Sequence, residues 1–354
     1  MYKTITRVAL LGSCLLLSGV GASDRLQNLE QDMQQILIDN KVVFAEPELT
    51  DWNVNLEVLL WHIKSGGVDW ALALNQGFVP QSGNMENLGF GWDWGACVGI
   101  AKTHLSDFEL GLTYTYFKAQ DSSKVAANFA GAVGSGVTGN ASIEYSGKVS
   151  YNALDLTLGS SLFTSGDVLS SPHLGLKNIW IHEHFHLDNK NFVNDSSVQG
   201  DVNLDVVDDN KVWAIGPAMG WDLEWYVFKC FSLLASFDAA LLQGYFKVYE
   251  TQLLQSIPSG DIPLTESFYL TGNEHQFIPY GRVLLGVNWG RDFQKGRRRV
   301  DVHLKYELNY FWRINQMLNQ ATGTTTGNST RILITRWAED LGLYGVSLGV
   351  TFGF

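Results

Sequence analysis

The sequence predicts an all-β fold: an antiparallel transmembrane β-barrel of about ten strands, with twelve as the alternative, behind a short N-terminal periplasmic helix. Three observations lead there. Apolar and polar residues alternate with a strict period of two through most of the chain. The connections between the alternating segments are by turns short and long. After the first residues, no stretch of about 18 apolar residues occurs, which excludes a helical membrane protein.

Residues 1–22 read as a secretory signal peptide. Lys3 and Arg7 give a positive start, Val8 to Val20 an apolar run, and Val20-Gly21-Ala22 a small-residue cleavage site. Leu11 to Cys14 loosely fits a lipoprotein box, but the apolar run continues past Cys14, which favours cleavage near Ala22. Residues 23–50 form a helix and linker: Leu26, Leu29, Met33, Ile36 and Leu37 fall at three- and four-residue spacings, and Pro47 ends the pattern. Residues 51–354 make the barrel.

Within 51–354, the segment 52–62 sets Val54, Leu56, Val58 and Leu60 against Asn53, Asn55 and Glu57. In 88–101, Phe90, Trp92, Trp94, Ala96, Val98 and Ile100 oppose Asp93 and glycines. In 107–118, Phe108, Leu110, Leu112, Tyr114 and Tyr116 oppose Glu109, Gly111, Thr113 and Thr115. Weaker alternation marks 147–159, 171–183, 211–226, 229–250 (one tall strand or two short ones) and 275–291. Residues 298–313 put Val300, Val302, Leu304, Tyr306, Leu308, Tyr310 and Trp312 outward. The clearest strand is the last, where Tyr344, Val346, Leu348, Val350, Phe352 and Phe354 share a face opposite Gly, Ser and Thr. Of these, Tyr344, Val350, Phe352 and Phe354 are the expected membrane-insertion signal, read by the barrel-assembly machinery.

Short turns are expected near 103–106, 160–170, 227–228 and 292–297, and long flexible loops near 64–87, 119–146, 184–210, 251–274 and 314–339. Ten strands put both ends of the barrel on one side of the membrane. A hairpin at 67–75 either raises the count to twelve or extends a hairpin above the membrane.

Charge and composition exclude several functions. The chain carries 24 basic and 36 acidic residues, and removal of the first 22 leaves 22 against 36, a formal charge of −14, which argues against nucleic acid as a partner. The 12 tryptophans suit membrane interfaces, where a side chain meets grease at one end and water at the other. Cys97 and Cys230 do not specify a disulfide. No catalytic residue and no cofactor is expected, since the chain has no Walker loop and no C-x-x-C.

The inward set Asp93, Glu109, Asp222, Glu224, Asp238, Arg282, Asp301, His303, Lys305, Glu307 and Arg313 is the expected pore lining. Charges of both signs cannot lie in a dry core without partners. They either bias which solutes pass or pair across the lumen and plug it. Arg297 to Arg299 with Lys295 form a basic turn, read as solvated or touching lipid phosphates. His182-Glu183-His184-Phe185-His186 matches H-E-x-x-H by letter. On a strand, however, His182, His184 and His186 would share one face and Glu183 the other, which is not the protease arrangement. They stand as weak metal candidates only.

GFGWDWGACVGIA (89–101), DFELGLTYTYF (107–117), LGLKNIWI (174–181) and DLGLYGVSLGVTFGF (340–354) resemble the Legionella and chlamydia-related major outer-membrane-protein family. The resemblance runs from about residue 26 onward. It implies a pore-forming or surface-exposed barrel in a Gram-negative outer membrane and carries no catalytic residues. The histidine cluster after Ile181 departs from it. Three functional readings follow in order: a porin-like passive channel for small hydrophilic solutes, a structural or adhesive surface barrel working through its loops, and an outer-membrane enzyme. Expected partners are outer-membrane lipid and solutes, with oligomerisation left open.

Overall fold

The structure is a computed structural model that describes residues 52–354 apart from 67–68, 75–82, 106–107, 133–138, 161, 166, 191–199, 229, 259–263, 294–297 and 323–331. The signal peptide and the helix expected over 1–50 lie outside the described residues, as do Lys295 and Arg297 of the basic turn.

Every described element is a strand. In chain order they are β1 (Trp52–Ser65), β2 (Asp69–Leu74), β3 (Gly83–Asn87), β4 (Trp92–Leu105), β5 (Phe108–Ala132), β6 (Gly139–Ser160), β7 (Leu162–Ser165), β8 (Val168–Lys190), β9 (Gly200–Phe228), β10 (Phe231–Pro258), β11 (Leu264–Phe293), β12 (Arg298–Thr322) and β13 (Ile332–Gly353). Ten of them close into a ring, β1-β4-β5-β6-β8-β9-β10-β11-β12-β13 and back to β1, each antiparallel to its neighbours. The first and last strands seal it: Asn53 faces Gly353, and the Trp52 and Phe354 backbones exchange two 2.9 Å hydrogen bonds. Closure leaves no unpaired edge in the ring, which a wall lying in lipid requires.

The hairpin β2–β3 does not enter the ring. It pairs with the upper end of β5, Ala71 opposite Ala132, above β1 and β4, which are only 14 residues each. The count is therefore ten rather than twelve. Residues 229–250 fall in one tall strand, β10.

Four of the expected loops are largely strand. β9, β10 and β11 run 29, 28 and 30 residues, where a membrane crossing takes about ten. The reason is a change of polarity with height, not of period. On β6, inward Asp155, Thr157 and Gly159 give way above to inward Tyr151, Val149, Tyr145 and Ile143, while the outward face turns from Leu158 and Leu156 to Lys148 and Glu144. Near the short-turn end the wall is greasy outside and polar inside. Farther up it is polar outside and greasy inside, as in a water-soluble barrel.

The outward greasy band is bordered by aromatic residues. Trp52, Phe108, Trp225, Phe228, Trp289, Phe293 and Phe354 lie toward the short-turn end, and Trp92, Tyr116, Trp180, Trp213, Tyr245, Trp312 and Tyr344 toward the tall end. Two such girdles are the mark of a membrane-spanning barrel. The apolar face of β13 looks outward as expected, and Tyr344 stacks on His62 at 5.1 Å. Cys97 is buried and Cys230 exposed, both as free thiols.

Candidate functional site

Parity in each strand sends alternate side chains into the lumen, and the lower lumen is therefore built by register. On β13 the inward residues are small, and this makes room for long side chains from its neighbours. Gly349 lies opposite both Glu57 and His303, so those two meet across it: His303 Nε2 is 3.2 Å from Glu57 Oε1, which also accepts a 2.7 Å hydrogen bond from Lys305 Nζ. A Cβ on Gly349 would fall 2.3 Å from His303 Nε2.

A second chain of charges crosses the lumen. Arg282 donates through Nη1 to Asp238 and through Nε to Glu307, both at 3.2 Å. His173 bridges Asp238 (2.8 Å) and Asp222 (3.1 Å). Lys177 donates to both oxygens of Asp155 and sits 4.5 Å from the Tyr280 ring centre. Nearer the short-turn end, Arg299 clasps Asp301, Asn288 donates to Asp301 and Glu224, and Thr103 donates to Glu109. Most of these carboxylates thus meet a cation, and Glu224 and Glu109 meet neutral donors, which offsets the cost of removing them from bulk water.

Ten of the eleven expected pore-lining residues face this interior. Asp93 faces in beside Trp61, one level higher than the others. The exception is Arg313. Between Phe311 and Asn315 the pairing with β13 is irregular, so that three residues of β12 oppose Asp340 alone. The bulge shifts the alternation. Arg313 sits exposed in the left-handed region (φ 57°), and its backbone N–H donates to Asp340 Oδ1 at 2.7 Å. Sequence reasoning left Asp155, His173, Lys177 and Arg299 out of the lining. The first three lie on the inward parity of 147–159 and 171–183, opposite Leu154, Leu156, Leu174 and Leu176, so the same rule would have found them.

The space between these groups forms two larger polar cavities of about 340 and 480 Å³ that share Glu109, Thr113, Thr157 and Asp222, and a smaller one of about 190 Å³ between Glu57, Lys177 and Glu307 that reaches Trp61 and Tyr151. Above them the lumen closes. Tyr151 of β6 and Phe311 of β12, from opposite walls of the ring, meet at a tilt with ring centres 5.8 Å apart. Trp61 reaches Tyr151 at 6.4 Å and Phe117 at 5.5 Å, and Tyr280 reaches Phe311 at 4.8 Å. Tyr151, Phe117 and Phe311 are fully buried. These five side chains make an aromatic septum with apolar packing above it, from Ile63 to Phe185 and Phe246.

The histidine cluster lies elsewhere. His182, His184 and His186 project from the outer face of β8, above the upper girdle, while Glu183 is buried inside. His182 and His184 share Asp209 (2.9 and 3.1 Å), and His186 meets Asp205 at 3.2 Å. Among the described residues no group of three or more potential ligands is placed to hold a metal ion.

A family model described as Legionella pneumophila major outer membrane protein precursor matches residues 46–354. No curated protein matches the chain. Among solved structures, the chain is similar to the outer membrane protease OmpT from Escherichia coli, with 8% identity, 87% of this chain and 98% of that one covered, and a TM-score of 0.43. It is also similar to the Pseudomonas putida toluene transporter TodX (7% identity, 88% and 92% covered, TM-score 0.24) and to the translocator domain of the autotransporter NalP from Neisseria meningitidis (10%, 95% and 100%, 0.29).

Proposed function

The chain belongs to the Legionella pneumophila major outer membrane protein family, and we propose that in the outer membrane it works as a porin-like passage for small hydrophilic solutes, with conduction limited at the aromatic septum. Outer-membrane barrels keep their short turns in the periplasm. The two larger polar cavities then lie on the periplasmic side and the tall wall faces outward. The observation that carries the reading is the lower lumen itself. A wall meant only to be plugged would need no charges of both signs around roughly 800 Å³ of polar space. Such a lining holds water and selects by charge. The septum then sets the open fraction: the solute route needs Tyr151 and Phe311 to part.

A specific observation favours a second reading, a structural surface barrel: Tyr151 and Phe311 meet across the lumen from opposite walls and are both buried. Planar-bilayer recording separates the two. The full chain is expected to give small or rare conductance steps, and Tyr151→Ala with Phe311→Ala larger and more frequent ones. A folded double variant as silent as a silent parent would overturn the channel reading in favour of the structural one.

A further inference from the structure

The outer face of the wall carries a basic row whose two lysines the protein leaves without a carboxylate partner among the described residues. Register places His182 of β8 directly opposite Lys211 of β9, and Lys211 directly opposite Lys247 of β10, all three facing out. Like charges directly across a sheet destabilise it. The chain could offset them with carboxylates, since it is acidic overall. Yet among the described residues no carboxylate pairs with Lys211 or Lys247. Asp209, one rung higher, is occupied by His182 and His184, and Lys211 has only the Tyr249 ring, 5.8 Å away.

One rung lower, toward the membrane, the same strands present Trp180, Trp213 and Tyr245, also in one register row. Trp213 and Tyr245 stack at 4.9 Å, and His275 meets Tyr245 edge-on at 4.8 Å. These rings belong to the upper girdle and mark the level where acyl chains meet headgroups. The basic row is one step above, at headgroup height. Between the two rows lies a groove of about 640 Å³, lined by Trp180, Lys211, Trp213, Tyr245, Lys247 and His275.

We propose that this row is a binding site for the phosphate-bearing headgroup of an outer-leaflet lipid. Lys211 and Lys247 take the phosphate, His182 flanks it, and the Trp180–Trp213–Tyr245 rings hold the greasy shoulder of the same molecule. Height selects a lipid over a soluble anion: a phosphate anchored by chains lying along the band arrives at this rung, and its negative charge relieves the repulsion between the two lysines.

The full chain, folded into phosphatidylcholine nanodiscs, tests this by its unfolding temperature. Addition of bis-phosphorylated lipid A to the bilayer is expected to raise the midpoint by about 5 °C. Dephosphorylated lipid A, or millimolar inorganic phosphate without the lipid, should leave it unchanged. Lys211→Gln with Lys247→Gln should abolish the rise, while Lys148→Gln with Lys190→Gln, the same loss of charge off the row, should keep it. Equal protection by dephosphorylated lipid A, or by inorganic phosphate alone, would overturn the proposal without recourse to any variant. So would a rise that survives in the Lys211/Lys247 pair.

Discussion

Glu183 shows what burial does to a single side chain. Inside the wall above the upper girdle, one of its oxygens accepts a 2.7 Å hydrogen bond from Asn210 and the other has no partner. Burial pushes its carboxyl up to about 7, and Asp208 nearby is raised as well, by burial and then by Glu250. A carboxyl that holds its proton more tightly in the fold than in the open chain favours the fold when protonated. That contribution is complete below the ordinary carboxylate range and is lost as pH rises toward 7. The barrel should therefore be more stable at pH 5.5 than at pH 8, by about 2 kcal/mol from this group. Glu183→Gln should flatten the difference. Melting curves of both proteins at the two pH values check it, and a parent more stable at pH 8 would contradict it. That Glu183 lies on the face opposite His182 and His184 was legible in the sequence from the period of two; that this face is the buried one was not. Arg313 was not legible: the two extra residues of the bulge leave no mark in an alternation count.

At the level of strands, the lower wall could be read from the sequence and the upper wall could not. Residues 298–313 announced themselves by greasy residues on one parity, up to Trp312. Above the upper girdle the period persists with its faces exchanged, so that polar side chains such as Lys148 and His184 alternate with buried Val149 and Phe185. Composition then suggests loop where phase would have given strand. The small face of β13 was legible as a pattern but not in purpose, which only register supplies: it houses the Glu57–His303 contact. Gly349→Ala is accordingly expected to cost about 1–3 kcal/mol, since the added methyl meets His303 and Glu57 closer than contact allows. Urea titration of tryptophan fluorescence measures that loss. In a His303→Ala background the same substitution should cost clearly less, because the two changes share one space. Additive losses would show that the crowding lies elsewhere.

For the molecule as a whole, closure between β1 and β13 decides whether there is a barrel. Phe354 exchanges two backbone hydrogen bonds with Trp52 at the seam and is itself exposed on the outer face. Removal of Phe354 deletes both bonds and one greasy anchor. The expected outcome is a lower yield of heat-modifiable, protease-resistant barrel, with the folded fraction otherwise alike. Gel mobility before and after boiling reads it, and an unchanged yield would deny the terminus a part in assembly. The strand number and both membrane faces came from periodicity and connection parity. The septum did not, because no local pattern says that Tyr151 and Phe311 will come together from opposite walls.

The seam joins residues at the two extremes of the described chain. An exported polypeptide therefore carries a free sheet edge until its final residues are out, and every shorter product keeps two. A chain that lacked β13 would leave the backbone groups of β1 and β12 unpaired on the side each now turns to it, so sealing is a single late event on which the whole ring depends.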